Sequence, residues 1–274
     1  MRIIALLALM LPTGTLSGAE LSGSPVQGGM LQGFAEPGSE IHLDDTPVPV
    51  GPDGLFIIGF GRDAPPQATL QIRRPDGAEE RIDIDVAPRE YEIQRIDGLP
   101  PKQVTPPPEV LERIRREAQA VAAARAARDL RPDFRAGFVW PSRGPISGVY
   151  GSQRILNGEP RRPHFGVDVA APEGAPVVAP APGIVTMAEP DLYYSGGTLI
   201  IDHGHGLTSS FLHLSEVLVE PGQRVAQGDL IGRVGATGRA TGPHLDWRMN
   251  LLDARIDPQL LVEGDPTEAS ISAD

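Results

Sequence analysis

The sequence predicts a mainly β protein, built as two β units joined by a single α-helix. Three observations carry that prediction. Short apolar–polar alternations such as EIHLDD and ERIDIDV recur, each bounded by turn signals. The 274 residues include 32 glycines and 29 prolines, a composition of short strands joined by many turns. One long stretch rich in Ala, Arg and Glu, EVLERIRREAQAVAAARAARDL, lies between two β-patterned segments.

Residues 1–19 have the form of a secretory signal. Arg2 precedes an unbroken apolar run from Ile3 to Leu11, and Ser17-Gly18-Ala19 supplies a small-x-small cleavage site. That run is too short to span a bilayer, and no later segment approaches ~20 apolar residues, so no transmembrane segment is expected. The mature chain is expected to start near Glu20 and to be periplasmic or secreted. It contains no cysteine, so packing alone must stabilise it, and no lipid can be attached through an N-terminal Cys. A formal charge of −12 argues against nucleic acid or an anionic membrane as a partner.

Residues 20–104 read as a small β-sandwich. Pro52-Asp53-Gly54 and Pro75-Asp76-Gly77 are hairpin turns in which Pro fixes φ and Gly supplies a positive φ. LFIIGF, between them, reads as a buried strand. Through EPGSEIHLDDTPVPVGPDGLF this part resembles bacterial immunoglobulin-like modules. Residues 105–133 read as a linker of hinge and helix: the proline-rich LPPKQVTPPPEV, which begins at Leu99, leads into a helix over 108–130 that stops before Pro132. The helix has (i, i+4) pairs Glu112–Arg116 and Arg113–Glu117 and a stripe of Leu111, Ile114, Ala118, Val121 and Ala122. It either lies along one unit or acts as a spacer between two. Residues 134–265 return to β with many glycines, and 266–274 read as a flexible tail.

Five of the six histidines fall in that last β unit. Four clusters stand out: RPHFGVD with His164 and Asp168, DHGHG with His203 and His205, FLHL with His213, and HLD with His244 and Asp246. On a strand, His244 and Asp246 share a face, because the side-chain period is two. Common hydrolase signatures are missing: there is no Gly-x-Ser-x-Gly elbow, no Cys nucleophile and no His-Glu-x-x-His helix. Gly235-Ala236-Thr237-Gly238 lacks the βαβ setting of a nucleotide loop.

Taken in order, the clusters resemble those of the LytM/lysostaphin-type zinc endopeptidases, which cut peptide cross-links in bacterial cell walls. The matching text is SGVYGSQRILNGEPRRPHFGVDVAAPEGAPVVAPAPGIV and GGTLIIDHGHGLTSSFLHLSEVLVEPGQRVAQGDLIGRVGATGRATGPHLDWRM, about 130 residues. The resemblance implies an antiparallel β peptidase domain with a groove, and a metal site on the groove floor. It implies that His164 and Asp168 are the first two zinc ligands and that His213 and His244 are catalytic histidines. Asp246 stands where the family has its third ligand, a histidine. His203 and His205 match no ligand position and are given structural roles.

Three protein ligands leave a fourth position on zinc for water, whose pKa falls to about 7. With Asp246 as third ligand, the donor set is one imidazole and two carboxylates, so its net charge with Zn²⁺ is zero rather than +1. One unit charge at ~4 Å is worth about 4 kcal/mol at an effective dielectric of 20. That is up to about three pKa units, at ~1.36 kcal/mol each, and the expectation is a weaker Lewis acid. Another ion such as Mn²⁺ or Fe²⁺ then becomes an alternative to Zn²⁺.

The expected activity is an exported metalloendopeptidase acting on peptidoglycan stem peptides. The alternatives are a non-catalytic relative that binds cell wall or activates a separate amidase, and a structural envelope protein. The sandwich and helix are expected to restrict the groove or to dock an envelope partner.

Overall fold

The computed structural model describes residues 19–96, 108–156, 158–269 and 271. The leader, apart from Ala19, and the proline-rich hinge at 97–107 lie outside the described residues. Among those described, no helix is long and apolar enough to cross a membrane.

Strands β1 (Leu21–Gly23), β2 (Met30–Phe34), β3 (Glu40–Leu43), β4 (Thr46–Val48), β5 (Leu55–Gly59), β6 (Gln67–Arg73) and β7 (Glu79–Asp85) make two antiparallel sheets. Their orders are β1-β2-β5 and β4-β3-β6-β7. The two sheets enclose Leu31, Ile41, Phe56, Ile58, Leu70 and Ile72. Gly54 (φ +84°) and Gly77 (φ +86°) take the left-handed backbone that the two Pro-Asp-Gly turns demand.

LFIIGF is apolar throughout because β5 is used on both faces. Phe56 and Ile58 fill the sandwich core, whereas Leu55 and Ile57 belong to the core of the following unit. Gly59 continues the contact: a Cβ there would lie 3.1 Å from side-chain atoms of both Leu251 and Ile256.

After β8 (Ile93–Ile96) comes α1 (Leu111–Ala124), shorter than the expected 108–130. The Arg125 N–H closes its end on the Ala122 and Ala123 carbonyls. The chain then turns so that the Asp129 carbonyl accepts from the His205 N–H at 2.6 Å. Of the two expected (i, i+4) pairs, Arg113–Glu117 forms, at 2.6 Å. Arg113 also reaches Asp191, and Glu117 accepts from the Tyr193 N–H. Val121 and Ala124 pack on Met187, Leu192 and Ile200, whereas Ala122 is exposed. The helix therefore lies along the second unit.

That unit comprises β9 (Ile146–Gly148), β10 (Gln153–Leu156), β11 (Glu159–Pro160), β12 (Val167–Val169), β13 (Pro176–Val178), β14 (Gly183–Leu192) and β15 (Gly196–Asp202). It continues with β16 (Leu207–Val217), β17 (Arg224–Val225), β18 (Leu230–Val234), β19 (Leu245–Leu251) and β20 (Ala254–Ile256). Ten of these strands form one sheet along the path β17-β14-β15-β16-β19-β12-β9, and β18 on β16 carries β13 back over it. A small separate sheet pairs β8 with β10 in parallel, tying the chain before the hinge to the loop before His164.

The sheet has two unlike faces. Leu199, Ile201, Phe211, Trp247 and Met249 point into a core that also holds Val167, Val169 and Ile256. The alternate residues Ile200, Ser210, Arg248 and Asp246 line the opposite face, in register across β15, β16 and β19. Helix α1 crosses the Met187–Ile200 end of that face. Residues 266–269, expected to belong to a flexible tail, are docked instead. Pro266 is buried, its carbonyl accepts from the Gly144 N–H, and Arg143 Nε donates to the Thr267 carbonyl at 2.7 Å.

Candidate metal centre

Antiparallel pairing of β12 with β19 sets Asp168 directly opposite Asp246. His164 comes from the loop before β12, anchored by its N–H on the Ser152 carbonyl and its C=O on the Gly151 N–H. One donor atom from each of His164, Asp168 and Asp246 lies within 4.8 Å of the others. His164 Nδ1 donates to the Val149 carbonyl at 3.2 Å, which leaves Nε2 facing the carboxylates. Nε2 is 3.1 Å from Asp168 Oδ1 and 3.5 Å from Asp246 Oδ1.

Two glycines make room for this cluster. A Cβ on Gly148 would sit 2.2 Å from Asp168 Oδ2, and one on Gly166 would sit 2.8 Å from Asp246 Oδ1. Any side chain at either position would displace a carboxylate.

Burial opposes charging of His164, but hydrogen bonding and charge from Asp168 and Asp246 win, and its pKa is pushed up to about 10. His164 Nε2 and Asp168 Oδ1 are buried, 3.1 Å apart, and neither has another hydrogen-bond partner among the described residues. A ring nitrogen and a carboxylate oxygen facing each other with no other partner, and a second carboxylate beside them, fit a divalent cation. One imidazole nitrogen and two carboxylate oxygens suit zinc or another first-row ion.

His213 reaches the site through a break in strand alternation. Strict alternation would place it with Ser209 and Phe211 on the core face. Instead its φ is +65°, and Leu214 takes the core position. The left-handed residue is strained, at a cost of about 1–3 kcal/mol. The His213 ring lies 4.8 Å from the ring of His244. Both rings are oriented alike: His213 Nδ1 donates to the Thr237 carbonyl at 2.8 Å, and His244 Nδ1 to the Gly242 carbonyl at 2.9 Å. Thr237 is itself held, since its Oγ1 donates to the Leu214 carbonyl and accepts from the Gly197 N–H. Burial lowers the pKa of His213, so its Nε2 is a neutral acceptor near pH 7.

His203 and His205 lie elsewhere. His203 is fully buried, with Nδ1 on the Pro182 carbonyl, Nε2 beside Ser209 Oγ, and Phe138 edge-on. His205 touches the Pro49 carbonyl of the sandwich and the Leu130 carbonyl after α1.

The sequence reading missed Arg248. Its Nε donates to Asp246 Oδ1 at 2.8 Å and to Oδ2 at 3.1 Å, and its Nη2 also donates to Oδ2. The signal was present in the i, i+2 spacing of Asp246-Trp247-Arg248, which places both side chains on one strand face. Further along that face, Arg125 Nη2 donates to Ser210 Oγ at 2.9 Å. Burial, with help from Arg255, Arg248 and Arg162, brings the Arg125 pKa down to about 9. Among the described residues, no carboxylate pairs with Arg125, Arg162 or Arg255.

Fold and site together outline a candidate metal centre on one face of a β-sheet. Residues 162–258 match the profile of Peptidase family M23. A crystal structure from Pseudomonas aeruginosa described as a peptidase M23 superposes with a TM-score of 0.67 at 32% identity, covering 87% of this chain and 95% of that one. The chain belongs to peptidase family M23. Two curated relatives are from Vibrio cholerae. The peptidoglycan DD-endopeptidase ShyA is 40% identical over 107 residues, and ShyB, of the same description, is 41% identical over 128 residues. The matches cover 39% and 42% of this chain but only 22% and 29% of those proteins.

Proposed function

We propose that the chain is an exported, zinc-dependent endopeptidase that hydrolyses peptide cross-links of bacterial peptidoglycan. The observation that carries this reading is the orphaned, buried pair His164 Nε2 and Asp168 Oδ1 with Asp246 beside them. His164, Asp168 and Asp246 would hold the ion. When bound, zinc supplies Lewis acidity at the scissile carbonyl and lowers the pKa of water.

The remaining work falls to His213 and His244. With Nδ1 of each ring committed to a backbone carbonyl, Nε2 is the atom left to take a proton from water and return one to the departing amine. Relatives described as peptidoglycan DD-endopeptidases support the substrate class. The paired, pre-oriented histidines count against a non-catalytic wall-binding or amidase-activating role, which has no use for two free Nε2 atoms. Helix α1 lies across the site face and limits how a substrate strand enters. The same helix and the sandwich are the surfaces for an envelope partner. Val121→Asp, which loosens α1 from Met187 and Ile200, should raise cleavage; unchanged cleavage removes this part of the reading.

The test uses purified mature protein and cross-linked muropeptides analysed by mass spectrometry. Cleavage should vanish on chelation and return with added Zn²⁺. Cleavage that survives complete metal removal, or none by the zinc-loaded protein, overturns the proposal. Export is checked by fractionation and by an N-terminus near Glu20.

A further inference from the structure

The Asp246 carboxylate is not free to bring a full negative charge to the metal centre. Arg248 stands two residues along the same face of β19 and grips Asp246 with two nitrogens. A carboxylate has about four lone-pair positions, and the guanidinium fork leaves Oδ1 able to accept a further partner. That atom still faces His164 Nε2 at 3.5 Å. Gly166 admits the arrangement, because a Cβ there would be 2.6 Å from Arg248 Cγ as well as 2.8 Å from Asp246 Oδ1. Arg248 and Asp246 thus form a two-pronged ion pair on one face of the strand.

We propose that Arg248 is a positioning residue that converts Asp246 into an electrically neutral ligand arm, giving the metal centre the charge it would have with a histidine there. A divalent ion with neutral His164, Asp168 and Asp246 sums to zero; adding Arg248 makes +1. Two imidazoles and one carboxylate give the same +1. Asp-x-Arg therefore does the electrostatic work of a single histidine. The weaker Lewis acid expected from the donor set alone, and the reason to expect Mn²⁺ or Fe²⁺ in place of zinc, are both removed. The other charged or titratable groups near the pair are His164 before β12, Asp168 on β12, His213 on β16, Arg125 after α1 and Arg255 on β20.

This inference rests on the metalloenzyme reading, and its test reads metal affinity rather than activity alone. Metal-stripped mature protein is titrated with Zn²⁺ against a competing chelator. Arg248→Gln frees the full carboxylate charge and should bind Zn²⁺ at least tenfold more tightly while cleaving at least tenfold more slowly. Arg248→Lys keeps the charge and should stay within about threefold of wild type in affinity. Asp246→His alone sets a neutral ligand beside an uncompensated guanidinium and should bind at least tenfold more weakly. Asp246→His/Arg248→Gln should return to within about threefold of wild type.

An Arg248 that merely orients Asp246 predicts weaker binding in Arg248→Gln, and that result overturns the inference. Should Arg248→Gln fail to fold, the single and double Asp246→His variants decide, and equal affinities for these two overturn it. A wild type that binds no Zn²⁺ defeats the metalloenzyme reading and this inference together. A wild type that binds zinc, with no charge pattern among the variants, defeats only the inference.

Discussion

Four histidines on or beside the β15–β16 hairpin and β19 make a natural comparison. His203 and His205 have both ring nitrogens beside protein acceptors or hydroxyls and are almost wholly buried. His213 and His244 each tie Nδ1 to a backbone carbonyl, and neither Nε2 has a protein partner among the described residues. The first pair is consumed by the fold; the second is oriented by it and left with a spare atom. An uncommitted ring nitrogen is what proton transfer by an imidazole requires.

The comparison breaks most visibly at the second pair. His213→Ala and His244→Ala should each lower muropeptide cleavage by about 10²–10⁴-fold, with melting temperature and bound metal nearly unchanged. A loss of metal in either variant would make that residue a ligand instead. The next largest effect is the mirror image. His203→Ala should cost about 3 kcal/mol in denaturant unfolding through lost packing and orphaned partners, while the folded fraction keeps its specific activity.

A pH experiment sharpens the contrast. Burial lowers the His203 pKa to about 4, below its unfolded value of about 6.5. The unfolded chain therefore binds the extra proton between those values, so the stability from His203 is complete above pH 6.5 and is lost as pH falls through 4. The loss should be about 3 kcal/mol over that window and should be missing from His203→Gln. Calorimetry of both proteins from pH 7 to pH 4 checks it. The smallest effect is expected from Ser209→Ala, which removes the hydroxyl beside His203 Nε2 and should cost about 1 kcal/mol with unchanged cleavage.

Much of this was legible in the sequence, for identifiable reasons. Turn chemistry and alternation gave the β character, and Pro-Asp-Gly located two turns whose glycines have positive φ. His164, Asp168 and Asp246 stand out because the order and spacing of motifs survive in a linear text, and the structure brings those three side chains together. His213 was recognisable by resemblance but not by strand logic, since its backbone leaves the β region and reverses the alternation. Arg248 was overlooked because an Arg on a strand reads as a solvated charge until its neighbour is known to be buried. The early end of α1 at Ala124 was hidden because Ala126 and Ala127 continue a good helical pattern. What stops the helix is tertiary: the chain from Arg125 to Arg131 is drawn toward Ser210, Asp202 and His205.

Strand β5 has a consequence for how the protein comes apart. Leu55 and Ile57 are a wall of one core, and Phe56 and Ile58 of the other. Neither compartment can be emptied without stripping the other, so the chain should melt in one calorimetric transition despite its two β units. For the same reason, removal of residues 20–133 opens a slot in the peptidase core where Leu55 and Ile57 belong. In this molecule the two halves share a party wall, and the second β unit is not a detachable module.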